Sequence, residues 1–155
     1  MGLATMQAPP NTFVTPKGQK KIEQLFLRSD YQRAVKLLVD HLDRHPNNVD
    51  SLMLLGFAYE QEAHVKQHGK RKTTYFSRAR HIFEQVEQLG ERAKALRGYG
   101  TISLHKTRFS EAYKLYEQSY RLDPHDEKTL VALGNAARQL RQFKKALAWY
   151  GKISS

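Results

Sequence analysis

The sequence predicts an all-α protein, an α-solenoid of antiparallel helix pairs, and three observations predict it. Apolar residues recur at i, i+3, i+4 and i+7 through most of the chain, the period of amphipathic helices; Phe76, Ala79, Ile82, Phe83 and Val86 form one such run. Small residues return at a constant interval, 34 residues from Ala112 to Ala146 and again from Gly100 to Gly134. Pro-marked breaks, His45-Pro46-Asn47-Asn48 and Asp123-Pro124, separate helical runs, because Pro cannot continue a helical hydrogen-bond ladder and restricts the residue before it. A fixed period of this length marks stacked repeats, each burying its apolar face only against its neighbours.

Residues 1–16 hold Pro9, Pro10 and Pro16 and no helical period, so an extended or flexible N-terminal arm is expected there. The first helix is expected from about Lys17 to Arg28 on the spacing of Ile22, Leu25 and Phe26. Ser29-Asp30 breaks it, and Asp30 suits the N-cap of a second helix carrying Ala34, Leu37, Leu38 and Leu42. A third helix opens near Val49 with Leu52, Leu55, Gly56 and Tyr59. Its partner helix should bring a small residue near position 68, but the first to fit is Ala79, followed by Phe83. Eleven extra residues therefore fall in the turn, His64 to Thr74, where Lys66, Lys70, Arg71 and Lys72 stand without an acid. A longer hairpin with a basic tip near Gly69 is expected. Gly90 suits the end of the fourth helix. The fifth carries Leu96, Tyr99, Gly100 and Leu104; the sixth Ala112, Leu115, Tyr116 and Tyr120; the seventh Leu130, Leu133 and Gly134; the eighth Ala146, Leu147, Tyr150 and Ile153. The helix pairs divide at about 17–48, 49–92, 93–126 and 127–155.

Leu55-Gly56 with Tyr59, Leu133-Gly134, Ala112 four before Tyr116, and Pro124 eight after it together resemble the tetratricopeptide repeat. The resemblance spans about Thr15 to Ser155. It implies a right-handed superhelix whose concave groove is lined by the first helix of each pair. It places Met53, Phe57 and Glu60 of the second pair, Lys94, Arg97, Thr101 and His105 of the third, and Lys128, Val131, Asn135 and Arg138 of the fourth toward that groove. Members that clamp a C-terminal carboxylate use a Lys-Asn-Asn-Lys-Arg set; here Gln19, Glu23 and Leu54 stand in the relevant places, so that clamp is not expected. The matching residues are packing residues, so the resemblance speaks to fold far more than to function.

The chain has 26 Lys and Arg against 15 Asp and Glu, a formal charge of +11, which favours anionic partners. It has no cysteine, which excludes disulfides and thiolate chemistry. No apolar run reaches the ~18 residues of a membrane span, and the N-terminus lacks a basic region before a continuous apolar core, the mark of a secretory signal. A cytoplasmic protein, free or peripheral on a membrane or large assembly, is expected. His41 with His45, and His64 with His68, are four apart but lack further ligands at a useful spacing, so no metal and no cofactor are expected. No phosphate loop, nucleophile elbow or paired-carboxylate arrangement is visible, which argues against an enzyme. The expected function is a non-catalytic interaction scaffold that binds an acidic peptide segment in the groove. Alternatives are a secretion chaperone of the same repeat type, or binding of nucleic acid or anionic lipid by the basic hairpin. Leu147, Trp149 and Ile153 are expected at an uncovered edge, which would serve self-association or a partner, or be covered by the continuation of a longer natural chain.

Overall fold

In the computed structural model, residues 16–65 and 70–153 are described. They form eight helices: α1 (Pro16–Leu27), α2 (Tyr31–Arg44), α3 (Val49–Val65), α4 (Lys70–Gln88), α5 (Arg92–His105), α6 (Phe109–Leu122), α7 (Glu127–Gln139) and α8 (Phe143–Gly151). The expected arm, Lys66 and Gly69 lie outside the described residues, except that Pro16, expected in the arm, opens α1. Pro fits a first helical position because the N–H it lacks has no intrahelical partner there.

Sequence chemistry sets the helix ends. The Asp30 carboxylate accepts from the Arg33 amide and starts α2; Asp126 accepts from Lys128 and starts α7. The Asn48 side chain accepts from the Ser51 amide at 3.0 Å and opens α3. Ser29, Thr107 and Arg141 take positive φ (57°, 61° and 61°) in the tight turns between the paired helices. Thr107 and Arg141 are one 34-residue period apart, so the turn repeats with the helices.

Helices that follow one another pack together, and α5 also touches both α3 and α7 directly. The first helices of the second, third and fourth pairs therefore stand side by side. Close contact within the second, third and fourth pairs is made by an aromatic ring laid on a glycine. A Cβ on Gly100 would lie 2.5 Å from the Tyr116 ring, and one on Gly134 would overlap the Tyr150 ring. Phe83, fully buried, is pressed between Gly56 and Gly98, where a Cβ on Gly98 would lie 2.5 Å from its ring. From glycine to ring is 16 residues for Gly100–Tyr116 and Gly134–Tyr150, and 27 for Gly56–Phe83. The eleven inserted residues thus lengthen the hairpin and leave the ring in its usual seat. Accordingly α3 has 17 residues and α4 has 19, against 14 in each of α5 and α6. Around Phe83 the core gathers Leu52, Met53, Phe76, Ala79, Val86 and Ile102; a second cluster joins Ala112, Tyr116, Leu133 and Ala136.

Candidate functional site

A groove of about 800 Å³ runs across the first helices of the pairs. One wall is mostly apolar: Ile22, Phe26 and Leu27 of α1, with Gln19 and Glu23 of the same helix beside them, face Met53, Leu54 and Phe57 of α3. The other is charged: Lys94 and Arg97 of α5, and Asp123, His125, Asp126 and Lys128 at the start of α7, with Asp50 of α3 between the walls.

Of the residues placed toward the groove from sequence, Met53, Phe57, Lys94, Arg97 and Lys128 line it. The remainder stand elsewhere. Thr101 is spent inside the fold: its hydroxyl donates to the Arg97 carbonyl at 3.0 Å and lies 2.8 Å from the Tyr116 hydroxyl. The ring of His105 lies tilted against His64 with centroids 5.3 Å apart, and burial, with His64 adding to it, brings its pKa down to about 4. The Asn135 side-chain carbonyl accepts from the Tyr150 hydroxyl. Val131 and Arg138 are exposed on α7. Glu60 is fully buried, and neither carboxyl oxygen has a hydrogen-bond partner among the described residues. Burial pushes its pKa well above the usual carboxylate value, and the Arg97 charge offsets this only in part.

Arg97 ties these groups together. It is only 6% exposed, its Nε lies 3.6 Å from an Asp126 carboxylate oxygen, and its guanidinium sits 5.5 Å over the Phe57 ring. Burial lowers its pKa while Asp126, Tyr116 and Glu60 raise it, and it keeps its charge as guanidinium does in proteins. This arginine is neutralised from within, across the boundary between the third and fourth pairs. Lys128 is exposed, and Lys94 keeps a loose 4.0 Å pair with Glu91. The lysines are thus the ammonium groups a ligand meets.

Sequence reasoning missed the acids Asp50, Asp123 and Asp126 and the apolar residues Ile22, Phe26 and Leu27 of α1, although it had set Gln19, Glu23 and Leu54 at ligand-facing positions, and these do line the groove. Asp123 caps the end of α6 and accepts from the His125 amide in the turn that follows. Asp50 and Asp126 sit at helix starts, where carboxylates are favoured, and that position was a usable signal. The apolar residues of α1 carried none, since a groove-lining Phe26 reads like a core one.

Around the basic hairpin, Lys70 and Arg71 fall in the first turn of α4 and Lys72 is half-buried. Further along, Arg78 stands 5.4 Å over the Tyr75 ring and 5.9 Å over Tyr59, while Arg80 stands 5.5 Å over Tyr99. At the other end Leu147 is 70% exposed and Ile153 half-buried. Trp149 is packed instead: its indole N–H donates to the Tyr113 hydroxyl at 2.9 Å and its ring meets Tyr120 edge-on at 5.0 Å. Phe143, 54% exposed, joins Leu147 on that surface and was not singled out from sequence.

Among the described residues, no group of three or more His, Cys, Asp or Glu gathers to hold a metal ion, and no helix is long and apolar enough to cross a membrane. No protein-family model and no curated protein matches the chain. Among solved structures, a thermophilic tetratricopeptide-repeat protein of Thermus thermophilus superposes with a TM-score of 0.70 over 84% of this chain and 68% of that one, at 18% identity. That likeness concerns the fold: helix pairs of tetratricopeptide type, stacked in succession.

Proposed function

We propose that this chain, a solenoid with the tetratricopeptide-repeat fold, is a protein-interaction scaffold that takes an acidic peptide segment in the groove. The observation that carries the reading is the pairing of an apolar wall with two accessible ammonium groups in one concavity. An apolar side chain of the peptide seats against Phe26, Met53 and Phe57, where burial of one such side chain contributes roughly 1.5–3 kcal/mol. A carboxylate close by in the peptide meets Lys94 and Lys128. Arg97, held by Asp126 and Phe57, shapes the floor and contributes little free charge. Glu23, Asp50 and Asp123 restrict where a carboxylate is tolerated, so the groove selects its position as well as its sign.

The test is fluorescence anisotropy with labelled extended peptides that carry one aromatic or Leu residue beside Asp or Glu, against the same peptides with Lys for the acids. Reversing both lysines, Lys94→Glu with Lys128→Glu, is expected to weaken the acidic peptide by about tenfold or more, roughly 1.4 kcal/mol, and to relieve the discrimination against the Lys peptide. Phe26→Ser is expected to weaken both peptides. Equal affinity for both peptides in the unaltered protein, or insensitivity to the double reversal, would overturn the assignment.

A further inference from the structure

We propose that the face formed by α4 and the turn after α5 binds single-stranded nucleic acid. The sequence has no Asp or Glu between Glu62 and Glu84, and Glu62 is itself buried. Arg78 and Arg80 stand exposed on α4 within that stretch. Lys106 and Arg108, exposed in the turn after α5, come up beside Arg80. Loss of hydration, then the charges of Arg108 and Arg80, hold the Lys106 pKa below its ordinary value, and Glu111 only partly offsets them. Among the described residues, Arg78, Arg80 and Lys106 form no ion pair with a carboxylate, and Arg108 keeps a loose 3.9 Å pair with Glu111. Poorly neutralised cations thus span α4 from its α3 side to the turn of the next helix pair.

The rings beneath these cations say what kind of anion fits. Arg78 stands 5.4 Å over Tyr75 and 5.9 Å over Tyr59, and those two rings are 6.2 Å apart. Arg80 stands 5.5 Å over Tyr99, and the Lys106 ammonium 5.2 Å over Phe76. The Tyr99 hydroxyl donates to Glu87 at 3.0 Å, which fixes that ring. A guanidinium backed by a ring keeps a planar face on which a base can stack, while phosphates meet its charge. Among the described residues, no large apolar side chain is exposed on α4, α5 or the turn after α5. A membrane would therefore find charge but nothing to insert, and a peptide would find no apolar seat. Glu84 and Glu87 end the cationic face farther along α4. None of these cations lines the groove, so the inference stands apart from the peptide reading.

The probe is a labelled single strand of about 12 nucleotides, within the site sizes of single-strand binders, made as RNA and as DNA. Each is titrated against the whole chain by fluorescence anisotropy, beside an abasic strand with the same number of phosphates. Either base-bearing strand is expected to bind at least about tenfold tighter than the abasic one, as one stacked base supplies; the tighter of the two names the source. Arg78→Lys with Arg80→Lys keeps the charge and removes the planar groups. It is expected to abolish most of that tenfold margin while leaving the abasic strand unchanged. With about four phosphates met, log affinity is expected to fall against log salt with a slope of about −3. Lys106→Gln with Arg108→Gln is expected to reduce that slope by about 1.4, and Lys94→Glu with Lys128→Glu to leave the base margin intact. Circular dichroism confirms that the variants stay helical, and either pair on this face suffices as the test. The proposal is overturned if the abasic strand binds as tightly, if neither pair alters binding, or if no strand binds at about 1 mM in low salt. Vesicles of phosphatidylserine and phosphatidylcholine that bind where the strands do not, and lose binding in the same variants, would assign the face to a membrane and overturn it equally.

Discussion

Replacing Gly98 by Ala would set a methyl group where the Phe83 ring already stands. Helix propensity alone favours the change by about 1 kcal/mol, since Gly is a poor helix residue. Packing opposes it: the new Cβ would lie 2.5 Å from Cδ1 and Cγ of Phe83 and 2.7 Å from Cδ2. The ring cannot withdraw, because it is fully buried and Gly56 closes its other side. Overpacking of this kind costs roughly 1–3 kcal/mol, so Gly98→Ala is expected to lower stability despite its better propensity. Phe83→Ala alone is expected to cost about 3–5 kcal/mol as a large-to-small core change. Combined, the two are expected to reverse the sign of the glycine substitution. With the ring gone, the added methyl meets open space and keeps only its gain of about 1 kcal/mol of propensity, so the coupling between the sites equals the overpacking cost, about 1–3 kcal/mol, within the range seen for residues in contact. Urea unfolding followed by circular dichroism reads this directly, with an unchanged m-value showing that the unfolded ensemble is comparable. Should Phe83→Ala leave too little native protein, Phe83→Leu gives the same cycle with a smaller coupling. Additive effects, or a stabilising Gly98→Ala in the unaltered protein, would refute the claim that the glycines are there to admit the rings.

Two ionisable groups, the buried Glu60 and the half-buried His105, should give opposite pH signatures. Glu60 holds its proton in the folded state above the 4.5 of a free carboxyl, so the native chain binds more protons than the unfolded one, and Glu60 erodes stability as pH rises through and beyond that value. Glu60→Gln should therefore be more stable than the parent at neutral pH, by a margin that grows up to about 1.4 kcal/mol per pH unit before levelling off; a margin independent of pH would show that Glu60 is not held protonated. His105 titrates near 4 when folded against 6.5 when free, so protonation favours the unfolded chain, and its contribution is full above 6.5 and lost as pH falls toward 4. His105→Gln should flatten the acid limb of a thermal-stability profile between those values, whereas an unchanged acid limb would place the imidazole in contact with water. Between about 4.5 and 6.5 the two slopes oppose each other, so each variant should expose a slope that the parent hides.

The fold was legible because its signals are local and repeated. Ala112, Ala146, Gly100 and Gly134 carry the period, and the interval of 45 from Ala34 to Ala79 locates the insertion. The same spacing foretells that α3 and α4 exceed their neighbours. Groove chemistry was less legible because it depends on partners far apart in sequence. Arg97 read as a free cation, and nothing near it in sequence reveals that Asp126 neutralises it from the next pair. Glu60 read as a groove residue because it lies on a first helix, four residues beyond Gly56 and next to the half-buried Tyr59. That helix is apolar nearly all round, and on such a helix periodicity does not say which side faces water. Trp149 likewise read as an edge residue, although Tyr113 and Tyr120, about thirty residues earlier, wait to receive it.

The unequal glycine-to-ring intervals bear on how such a chain can diverge. Phe83 takes the same seat as Tyr116 and Tyr150 although its glycine is eleven residues farther away. Helix pairs are thus registered at their bases, and the length of the hairpin beyond that point is a separate variable. Lengthening a loop is inexpensive in itself, about 0.6 kcal/mol for each doubling, and here it need not be transmitted to adjoining repeats. Segments can then be gained or lost at hairpin tips almost neutrally, and the cationic tract from Lys66 to Lys72 falls within just such an insertion. New recognition chemistry can be tried there while the inherited stacking, and the groove it forms, stay under separate selection.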